Sequence, residues 1–304
     1  MSSNHKEHKN IKTLDFVHLS KYFYIFSISL TILGIIFLAV FGLNYSVDFK
    51  AGSNVDMTLT KSLTVEEMKP ILEKLDISKD ADITTGDNRM NIRFNEVLNE
   101  TQDHQLKEEI LKLDGGASFE VNTVDPEMAK ELARNAIYAV LISCIGIIIY
   151  VSIRFEWRFA VAAIVSLLHD AFMVVGVFSI FRLEVDLTFI IAVLTIIGYS
   201  INDTIVIFDR IRENLRFAKL KSTADLHELV NHSVSQTIMR SLYTALTVFI
   251  AAFFLFLFGG ESIKMFSLAM VIGLLFGAYS SIFIASPLWF VLKSKQKNKP
   301  AKAS

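Results

Sequence analysis

Asp203 has the most unusual position for its chemistry in this chain. It lies inside a long apolar stretch, where a carboxylate costs about 2.5 to 3.5 kcal/mol on membrane-insertion scales. Burial in an apolar medium favours the neutral form of a carboxyl group unless a cation lies nearby. Such a residue is suited to taking up and releasing protons. The alternative is a polar residue whose hydrogen bonds only hold helices together.

Arg240 is the basic residue best placed to balance the charge of Asp203. It begins a later apolar stretch, with Thr244 and Thr247 on the same face at helical spacing. The alternative is that its guanidinium reaches back to the lipid headgroups, as arginines at the ends of spans usually do. The two threonines favour the first interpretation. We therefore expect Asp203 and Arg240 to form a site for proton or ion coupling.

Other intramembrane polar residues are candidates for supporting roles. Ser200, Asn202 and Thr204 lie close to the buried aspartate in sequence and provide a polar stripe for water or hydrogen bonds. His169 and Asp170 are adjacent near the middle of another apolar stretch. Two adjacent ionisable residues inside a span support a functional role more strongly than a single one does. They could pair with each other, pair with a helix of another subunit, or form a purely structural cluster.

The sequence contains no pattern typical of a catalytic or cofactor site. It has no phosphate-binding glycine loop, no zinc-spaced set of Cys and His, and no nucleophile elbow. The single cysteine, Cys144, cannot form an internal disulfide, and a net charge of -1 gives no overall field for nucleic acid. We expect a chain that is not an enzyme, binds no cofactor or metal, and contacts membrane lipids rather than nucleic acid.

The apolar content indicates that these residues lie in a membrane. Hydrophobic residues make up 52% of the 304 residues, and 25 of them are Phe. Several uninterrupted apolar runs reach the roughly 18 residues that a span requires. We expect an α-helical polytopic membrane protein with six transmembrane helices. The predicted spans are residues 22–43, 136–153, 159–181, 187–208, 241–258 and 265–292.

Residues 44–135 form the one substantial polar segment between spans and include a helix that connects to the second span. Along this segment, stretches with apolar residues at every second position alternate with stretches whose apolar residues have helical spacing. The predicted order is strand, helix, strand, strand, helix, strand, which is typical of a small α+β, ferredoxin-like domain. The predicted elements are strands at 55–59, at 117–124 and two within 82–94, and helices at 65–75 and 102–113.

Basic residues predict how the chain is oriented. The tails at 1–21 and 293–304, together with the loops that would lie on their side of the membrane, carry sixteen Lys and Arg residues. The short loops of the other side carry only Arg182 and Lys264. Because cytoplasmic loops are enriched in Lys and Arg, we expect both termini in the cytoplasm and residues 44–135 outside it.

Two stretches give the sequence a resemblance to a known family. GYSINDTIVIFDRIREN, at residues 198–214, resembles the signature of the SecD/SecF family of protein-export membrane proteins. VDFKAGS, just after the first span, resembles the pattern D-F-x-G-G-T that is typical of the family at this place. Asp48, Phe49 and Gly52 match that pattern, whereas Ala51 departs from it.

The chain differs from this family pattern at two positions, and it matches the family in a third element. Ser53 stands where the pattern has threonine, and Ala51 stands where it has its first glycine. The third element is the pair His169–Asp170, followed by the run EVDLT at residues 184–188. The resemblance covers nearly the whole chain and includes the six predicted spans.

The resemblance implies a function in protein export. Members are taken to work beside SecD in the bacterial cytoplasmic membrane and to use the proton-motive force to complete preprotein export, and they belong to the resistance-nodulation-division superfamily. The partners that the resemblance implies are SecD, the SecYEG channel with SecA as its ATP-driven motor, and the unfolded preprotein. YajC and YidC are further implied partners. The intramembrane aspartate and arginine of the family correspond to Asp203 and Arg240. The family includes proton-coupled and sodium-coupled members.

Two alternative functions follow from the same sequence. A small-molecule exporter of the same superfamily would carry much larger soluble domains than the segment of about ninety residues found here. A passive scaffold for the export channel would require no intramembrane charge for its activity. Substitution of Asp203 by asparagine separates the scaffold from the coupled subunit, because only the coupled subunit loses activity while it assembles normally.

The predicted orientation can be tested with single cysteines. Cys144 is first replaced, and one cysteine is then introduced at Asn88 or at Lys297. In intact cells, a membrane-impermeant thiol reagent should label the cysteine at 88 and not the one at 297. The reverse pattern would contradict the orientation.

Overall fold

The structure is a computed structural model that describes residues 14–61, 63–77, 81–86 and 88–297. The sequence predictions for the tails before residue 14 and after residue 297 lie outside the described residues. The described helices, in chain order, are α1 Phe16–Phe41, α2 Val47–Lys50, α3 Val65–Lys74, α4 Glu100–Leu113, α5 Pro126–Arg154, α6 Trp157–Ile180, α7 Leu187–Phe217, α8 Thr223–Phe258, α9 Glu261–Ser280 and α10 Ser286–Lys297. The described strands are β1 Asn44–Tyr45, β2 Gly52–Thr58, β3 Ala81–Thr85, β4 Arg89–Phe94, β5 Ser118–Val124 and β6 Glu184–Val185.

Six helical segments of the described chain are long and apolar enough to span a membrane, which confirms the prediction of an α-helical polytopic membrane protein. They are α1, α5, α6, α7, α8 and a last segment made of α9 and α10. A π-helical turn, Ser281–Ala285, joins α9 to α10 without a break. Isolated π-helical turns inside α-helices are rare and are frequent at functional sites.

Several helices extend well beyond the predicted spans. The fifth predicted span begins at residue 241, whereas α8 begins at Thr223, because its first half buries Leu226, Val230 and Val234 and exposes polar residues elsewhere. α1 likewise begins at Phe16, where the carboxylate of Asp15 accepts a hydrogen bond from a backbone N–H of the first turn. Amphipathic helix ends of this kind do not register as apolar runs.

The helices differ in how much of each is covered by the rest of the chain. α6, α7 and the α9–α10 segment are buried along about half of their apolar length, whereas α1, α5 and α8 leave most of theirs exposed. One apolar cluster surrounds Trp289 and contains Phe159 and Phe208. A second surrounds Phe178 and Phe189. α6, α7 and α9 therefore form the centre of the bundle.

Residues 52–124 form a small domain, here called the sheet domain. Its four strands are antiparallel in the order β3–β4–β2–β5, and α3 and α4 cover one face of the sheet. Strand, helix, strand, strand, helix and strand follow one another along the chain, as the sequence pattern predicts. The residues that pack beneath the helices include Val55, Ile92 and Leu106, all fully buried.

The other face of the sheet is polar and lies over one end of the helix bundle, here called the sheet end. A cleft of about 640 Å³ separates the two. Arg93 of β4 forms an ion pair of 2.7 Å with Glu184, and Arg89 donates a 2.8 Å hydrogen bond to the carbonyl of Gly259. The parallel pairing of β1 with β6 ties the end of α1 to the start of α7. The opposite end, where α7 carries Arg210, is called the basic end.

The junction between α2 and β2 depends on two residues with unusual backbone angles. Ala51 has φ 68° and ψ 162°, and Gly52 has φ 130°. Glycine adopts such angles readily, whereas other residues are strained there. A Cβ at position 52 would also collide with the carbonyl oxygen of Phe94. Position 51 therefore favours glycine on backbone grounds, although the chain has alanine there.

This junction yields a stability prediction. Ala51→Gly should raise the free energy of unfolding by about 1 kcal/mol, because it removes left-handed strain. Gly52→Ala should lower it and should cost more than Gly42→Ala, since position 42 has a positive φ but no neighbour that a Cβ would meet. Thermal unfolding of the purified chains in detergent measures all three. Equal effects at 42 and 52 would contradict the steric argument.

Candidate functional site

Close packing between α7 and α9 builds the centre of the candidate site. Gly273 faces Ile196, and a Cβ on Gly273 would collide with that side chain. One turn later Gly277 faces Ser200, where a Cβ would lie 3.5 Å from the Cβ of Ser200, an ordinary contact. Small residues let helix backbones approach in membranes. This approach brings the polar side chains of both helices together.

Asp203 lies at a small cavity between α7, α8 and α9. Its residue is 8% exposed, and Ser200, Thr244 and Gly277 also line the cavity. The cavity volume of about 10 Å³ is close to the space of one water molecule. Within the described part of the chain, the structure shows no hydrogen bond to the Asp203 carboxylate within 3.5 Å. Its charge is thus met by the field of neighbouring groups rather than by a direct partner.

Arg240 lies close enough to Asp203 to attract its carboxylate electrostatically. No ion pair within 4.0 Å joins Arg240 to a carboxylate of the described residues. The residue is exposed and lines a second cavity of about 480 Å³ at the basic end, together with Asp209, Glu213 and Gln236. Arg240 therefore lies between a polar cavity open at the basic end and the buried aspartate.

Asp170 is more deeply buried than Asp203, with no exposed surface. Its carboxylate accepts hydrogen bonds from the hydroxyl groups of Ser200 on α7 and Ser280 on α9, the latter at 2.6 Å. Nδ1 of His169 lies 2.8 Å from its other oxygen. The two adjacent residues thus pair with each other, and Asp170 joins three helices.

A chain of hydroxyl groups continues from His169 to the first helix. Nε2 of His169 lies 3.3 Å from the hydroxyl of Tyr279. That hydroxyl lies 3.0 Å from the hydroxyl of Ser27 on α1. Hydrogen bonds therefore connect α1, α6, α7 and α9 through side chains inside the bundle.

The other predicted polar residues are divided between this network and the surface. Thr204 is buried and shares a 3.0 Å hydrogen bond with Ser281, the first residue of the π-helical turn. Asn202 and Thr247 are exposed on their helices. Thr244 is half-buried, and its hydroxyl donates to the carbonyl of Arg240 in its own helix. The structure thus brings neither Asn202 nor Thr247 to the site.

Asp48, Phe49 and Gly52 lie at the sheet end, about 24 Å along α7 from Asp203 by helical rise. The carboxylate of Asp48 accepts a 3.0 Å hydrogen bond from the backbone N–H of Leu187, at the start of α7. Phe49 packs against the apolar cluster of the sheet end. This motif therefore attaches the sheet domain to α7 and takes no part in the Asp203 site.

Two carboxyl groups near this attachment have shifted pKa values. Burial raises the pKa of Glu184, while the guanidinium of Arg93 opposes that change. Burial also raises the pKa of Asp186, against hydrogen bonds from the backbone of Phe189 and the hydroxyl of Thr188. Both groups therefore take up a proton at higher pH than an exposed carboxyl group would.

Sequence reasoning missed the residues of α9 and α1 that complete the network. Tyr279, Ser280 and Ser281 are three consecutive hydroxyl residues in an otherwise apolar span, and that run was the available signal. Ser27 lies near Ser29 and Thr31 in its span, and nothing in the sequence distinguishes it from them. No group of three His, Cys, Asp or Glu side chains in the described ranges is arranged to hold a metal ion.

Comparison with family models gives two matches. Residues 106–295 match the model described as protein export membrane protein SecD/SecF, C-terminal. Residues 36–62 match the model of the SecD/SecF GG motif. The second match includes Ala51 and Gly52, where this chain has only one of the two glycines. The first match covers more than half of the chain.

Curated relatives and a solved structure agree with these models. The chain is 44% identical to the protein translocase subunit SecF of Alicyclobacillus acidocaldarius, over 94% of each chain. It is 48% identical to the SecDF subunit of Bacillus subtilis, over 97% of this chain but only 40% of that relative. It superposes on SecDF of Thermus thermophilus, described as a translocon-associated membrane protein, with a TM-score of 0.84 and 33% identity. The match covers 94% of this chain and 39% of that structure.

The packing of α7 on α9 yields a prediction with a matched control. Gly273→Ala should lower the free energy of unfolding by about 1 to 3 kcal/mol, because a Cβ there overpacks against Ile196. Gly277→Ala, one turn away on the same face, makes only ordinary contacts and should change stability by less than about 1 kcal/mol. Thermal unfolding in detergent compares the two. A larger loss at 277 would contradict this account.

Proposed function

Because the chain belongs to the SecD/SecF family of protein-export membrane proteins, we propose that it uses the proton-motive force, together with SecD, to promote preprotein export. Membership of this family makes it a protein translocase subunit with a transport role. The energy of the proton gradient enters the protein at one intramembrane site. Asp203 takes up and releases the coupling proton, and Arg240 responds to its charge.

The observation that carries the proposal is the buried carboxyl group of Asp203, near Arg240 but without a direct partner. An ion pair that stayed closed would lock α7 to α8. A carboxylate far from any cation would stay neutral in this setting. The observed arrangement lies between these extremes, so a small movement of either helix changes the interaction. That is the property that a two-state coupling element requires.

The cavity at the basic end supports a route for protons to this site. It is lined by Asp209, Arg210, Glu213 and Arg240, all polar and charged. Thr244, one turn beyond Arg240 on α8, lines the cavity at Asp203. Water can therefore approach Arg240 from the basic end, and only the last turn to Asp203 is closed.

In the proposed cycle, the proton switches the attraction between α7 and α8. Moving one charge through 100 mV releases about 2.3 kcal/mol, which is available only if protonation changes an interaction. Ionised Asp203 attracts Arg240, and the protonated form loses most of that attraction. A resulting shift of α7 reaches the sheet domain, because the first backbone N–H of α7 is bonded to Asp48.

We further propose the placement of the chain in a bacterial cytoplasmic membrane. The basic end, with both termini, faces the cytoplasm, and the sheet domain lies outside it. The strand order β3–β4–β2–β5, with both helices on one face, supports a ferredoxin-like fold for the sheet domain. There the sheet domain handles the emerging preprotein.

A SecD partner is supported by the relatives and by the exposed helices. Two of the matched proteins are named SecDF, and this chain corresponds to about 40% of their length. α1, α5 and α8 have exposed apolar faces, which could pack against a second set of helices as well as against lipid. The SecYEG channel, SecA, YajC and YidC are further proposed partners, and the substrate is an unfolded preprotein.

The two alternatives predict different properties. An exporter of small molecules needs a substrate pocket, and the sheet domain has only a single layer of helices on its sheet. A passive scaffold needs no protonation and would keep its activity without Asp203. The coupled subunit is favoured because the buried charges have no need to be there in a scaffold.

The coupling proposal predicts the effects of substitutions at both residues. Asp203→Asn should mimic the protonated state and reduce potential-driven export at least tenfold, with normal expression and SecD binding. Arg240→Met should do the same, because the cation that favours ionised Asp203 is gone. Arg240→Lys should keep part of the activity, since the charge survives without the guanidinium geometry. Export is measured in vesicles with an imposed potential after ATP-driven initiation is complete.

Asp209→Asn is the matched control for this experiment. It makes the same substitution on the same helix, six residues away, at a carboxylate that lines the proposed proton route but already pairs with Arg154 and Arg212. Because an amide keeps the cavity polar, it should slow driven export far less than Asp203→Asn, and Glu228→Gln, an exposed carboxylate of α8 that lines neither cavity, should leave it unchanged. Wild-type rates in Asp203→Asn would exclude the coupling role and leave a structural residue. Replacing protons by sodium in the same vesicles identifies the coupling ion.

A further inference from the structure

We propose that His169 is a second protonation site in the membrane domain, with Asp170 as the carboxylate that orients its imidazole and balances its charge. The inference rests on the proposed function only in assuming that protons enter this domain. The site is on α6, whereas Asp203 is on α7. It would make the bundle a carrier of two coupled protons rather than one.

The hydrogen-bond partners of Asp170 suit the carboxylate that the proposed pair requires. The hydroxyl groups of Ser200 and Ser280 donate to one of its oxygens, and Nδ1 of His169 lies 2.8 Å from the other. An ionised carboxylate only accepts hydrogen bonds, so in the proposed pair Nδ1 of His169 carries a proton and is the third donor. A fully buried anion requires a nearby cation, and truncating such a pair is strongly destabilising. The imidazole, 2.8 Å away, can become that cation.

Other titratable groups around His169 cannot take this role. Tyr279 on α9 faces the imidazole, and Asp203 on α7 lies one turn beyond Ser200. α1 contributes the hydroxyl of Ser27. None of these side chains is cationic. Within the described residues, the imidazolium is the one positive charge that the hydrogen bonds bring to Asp170.

The hydroxyl groups of Tyr279 and Ser27 can accommodate both states of His169. When the imidazole is neutral, Tyr279 donates its O–H to Nε2, and Ser27 donates to the Tyr279 oxygen. When the imidazole is charged, Nε2–H donates to Tyr279, which donates to Ser27. Hydroxyl groups act as donor and acceptor, so reversing the chain leaves every polar atom bonded.

This reversal also describes how the proton is transferred. A hydronium ion gives a proton to the oxygen of Ser27, and the original Ser27 proton moves to the oxygen of Tyr279. The original Tyr279 proton then moves to Nε2. Three O–H bonds break, and two O–H bonds and one N–H bond form, so the hydronium ion becomes water, both hydroxyl groups end neutral and the positive charge rests on His169. Release follows the same steps in reverse.

Ser200 couples this site to Asp203. Its hydroxyl donates to Asp170 while the residue lines the cavity at Asp203. The charge state of His169 changes how strongly Asp170 holds that hydroxyl. Protonation at either site therefore alters the surroundings of the other, through one side chain of α7.

The test observes the imidazole directly and needs no export assay. The full chain, assembled with its SecD partner in lipid vesicles, carries isotope-labelled histidine, and infrared difference spectra are recorded between pH 5 and 9. Of the seven histidines, one signal should vanish in His169→Gln, and that signal should change from neutral to charged imidazole within this range. Asp170→Asn should abolish the charged form.

Tyr279→Phe tests the same site without removing the buried charge. The charged imidazole loses the acceptor for Nε2–H, so it should form only at lower pH, with the midpoint moved by about one pH unit. Ser166→Ala is the matched control. It lies one turn before Asp170 on α6, and its buried hydroxyl has no hydrogen-bond partner among the described residues. Its midpoint should match that of the wild type.

The outcomes separate this inference from the proposed function. A His169 signal that stays neutral, or stays charged, from pH 5 to 9 overturns the inference. Equal midpoints in Tyr279→Phe and the wild type overturn it as well. If Asp203→Asn retains full export while His169 titrates as expected, the Asp203 mechanism fails and the second site stands. If Asp203→Asn loses export while the His169 signal does not change with pH, the second site fails and the Asp203 mechanism stands.

Discussion

The demand of one buried carboxylate for hydrogen bonds organises the centre of this membrane domain. Asp170 has no access to solvent, and its hydrogen-bond partners come from its own helix, from α7 and from α9. An unsatisfied carboxylate at this depth would cost several kcal/mol. α7 and α9 must therefore approach α6 closely enough for two serine hydroxyl groups to reach one side chain, and the rest of the bundle is arranged around that approach.

The close approach of α7 and α9 restricts the size of the residues that α9 can carry. At Gly273 a larger residue would push α9 away from α7, because its Cβ would collide with Ile196, whereas a Cβ at Gly277 would make only ordinary contacts. One turn after Gly277 the helix changes to a π-helical turn, which begins at Ser281. A π-helical turn inserts one residue per turn and so shifts the positions that follow. Just before the shift, Ser280 reaches Asp170 on α6 and Ser281 reaches Thr204 on α7.

Much of the architecture was predictable because it depends on patterns that are local in sequence. Six spans follow from apolar length, and the order of elements in the sheet domain follows from alternation and helical spacing. Asp203 and Asp170 stand out because charge is expensive in a span. What local patterns could not give is which residues meet. Ser27 is unremarkable among its neighbours on α1, and its partner Tyr279 lies 252 positions away.

The same limit explains where the predictions went too far or fell short. Thr247 shares the helical face of Arg240, yet it is exposed because that part of α8 is not covered by the chain itself. Asn202 is next to Asp203 but points away from the bundle centre, since adjacent helical residues differ by about 100°. The start of α8 at Thr223 was not predicted because the first half of this helix is amphipathic. It is stabilised by packing on one face and contains no continuous apolar run.

α7 is the element that can transmit a change from one end of the molecule to the other. Its middle carries Ser200 and Asp203, and its first N–H is held by Asp48 at the entrance to the sheet domain. Beside that contact, Glu184 binds Arg93 of the sheet, and burial raises the pKa of its carboxyl group. Protonation of Glu184 would weaken its contact with Arg93 at this end of α7. α7 is one continuous helix of 31 residues, so its buried middle and this junction belong to the same element. The sheet domain is therefore attached to the helix that carries Asp203, beside an ion pair whose carboxyl group responds to pH.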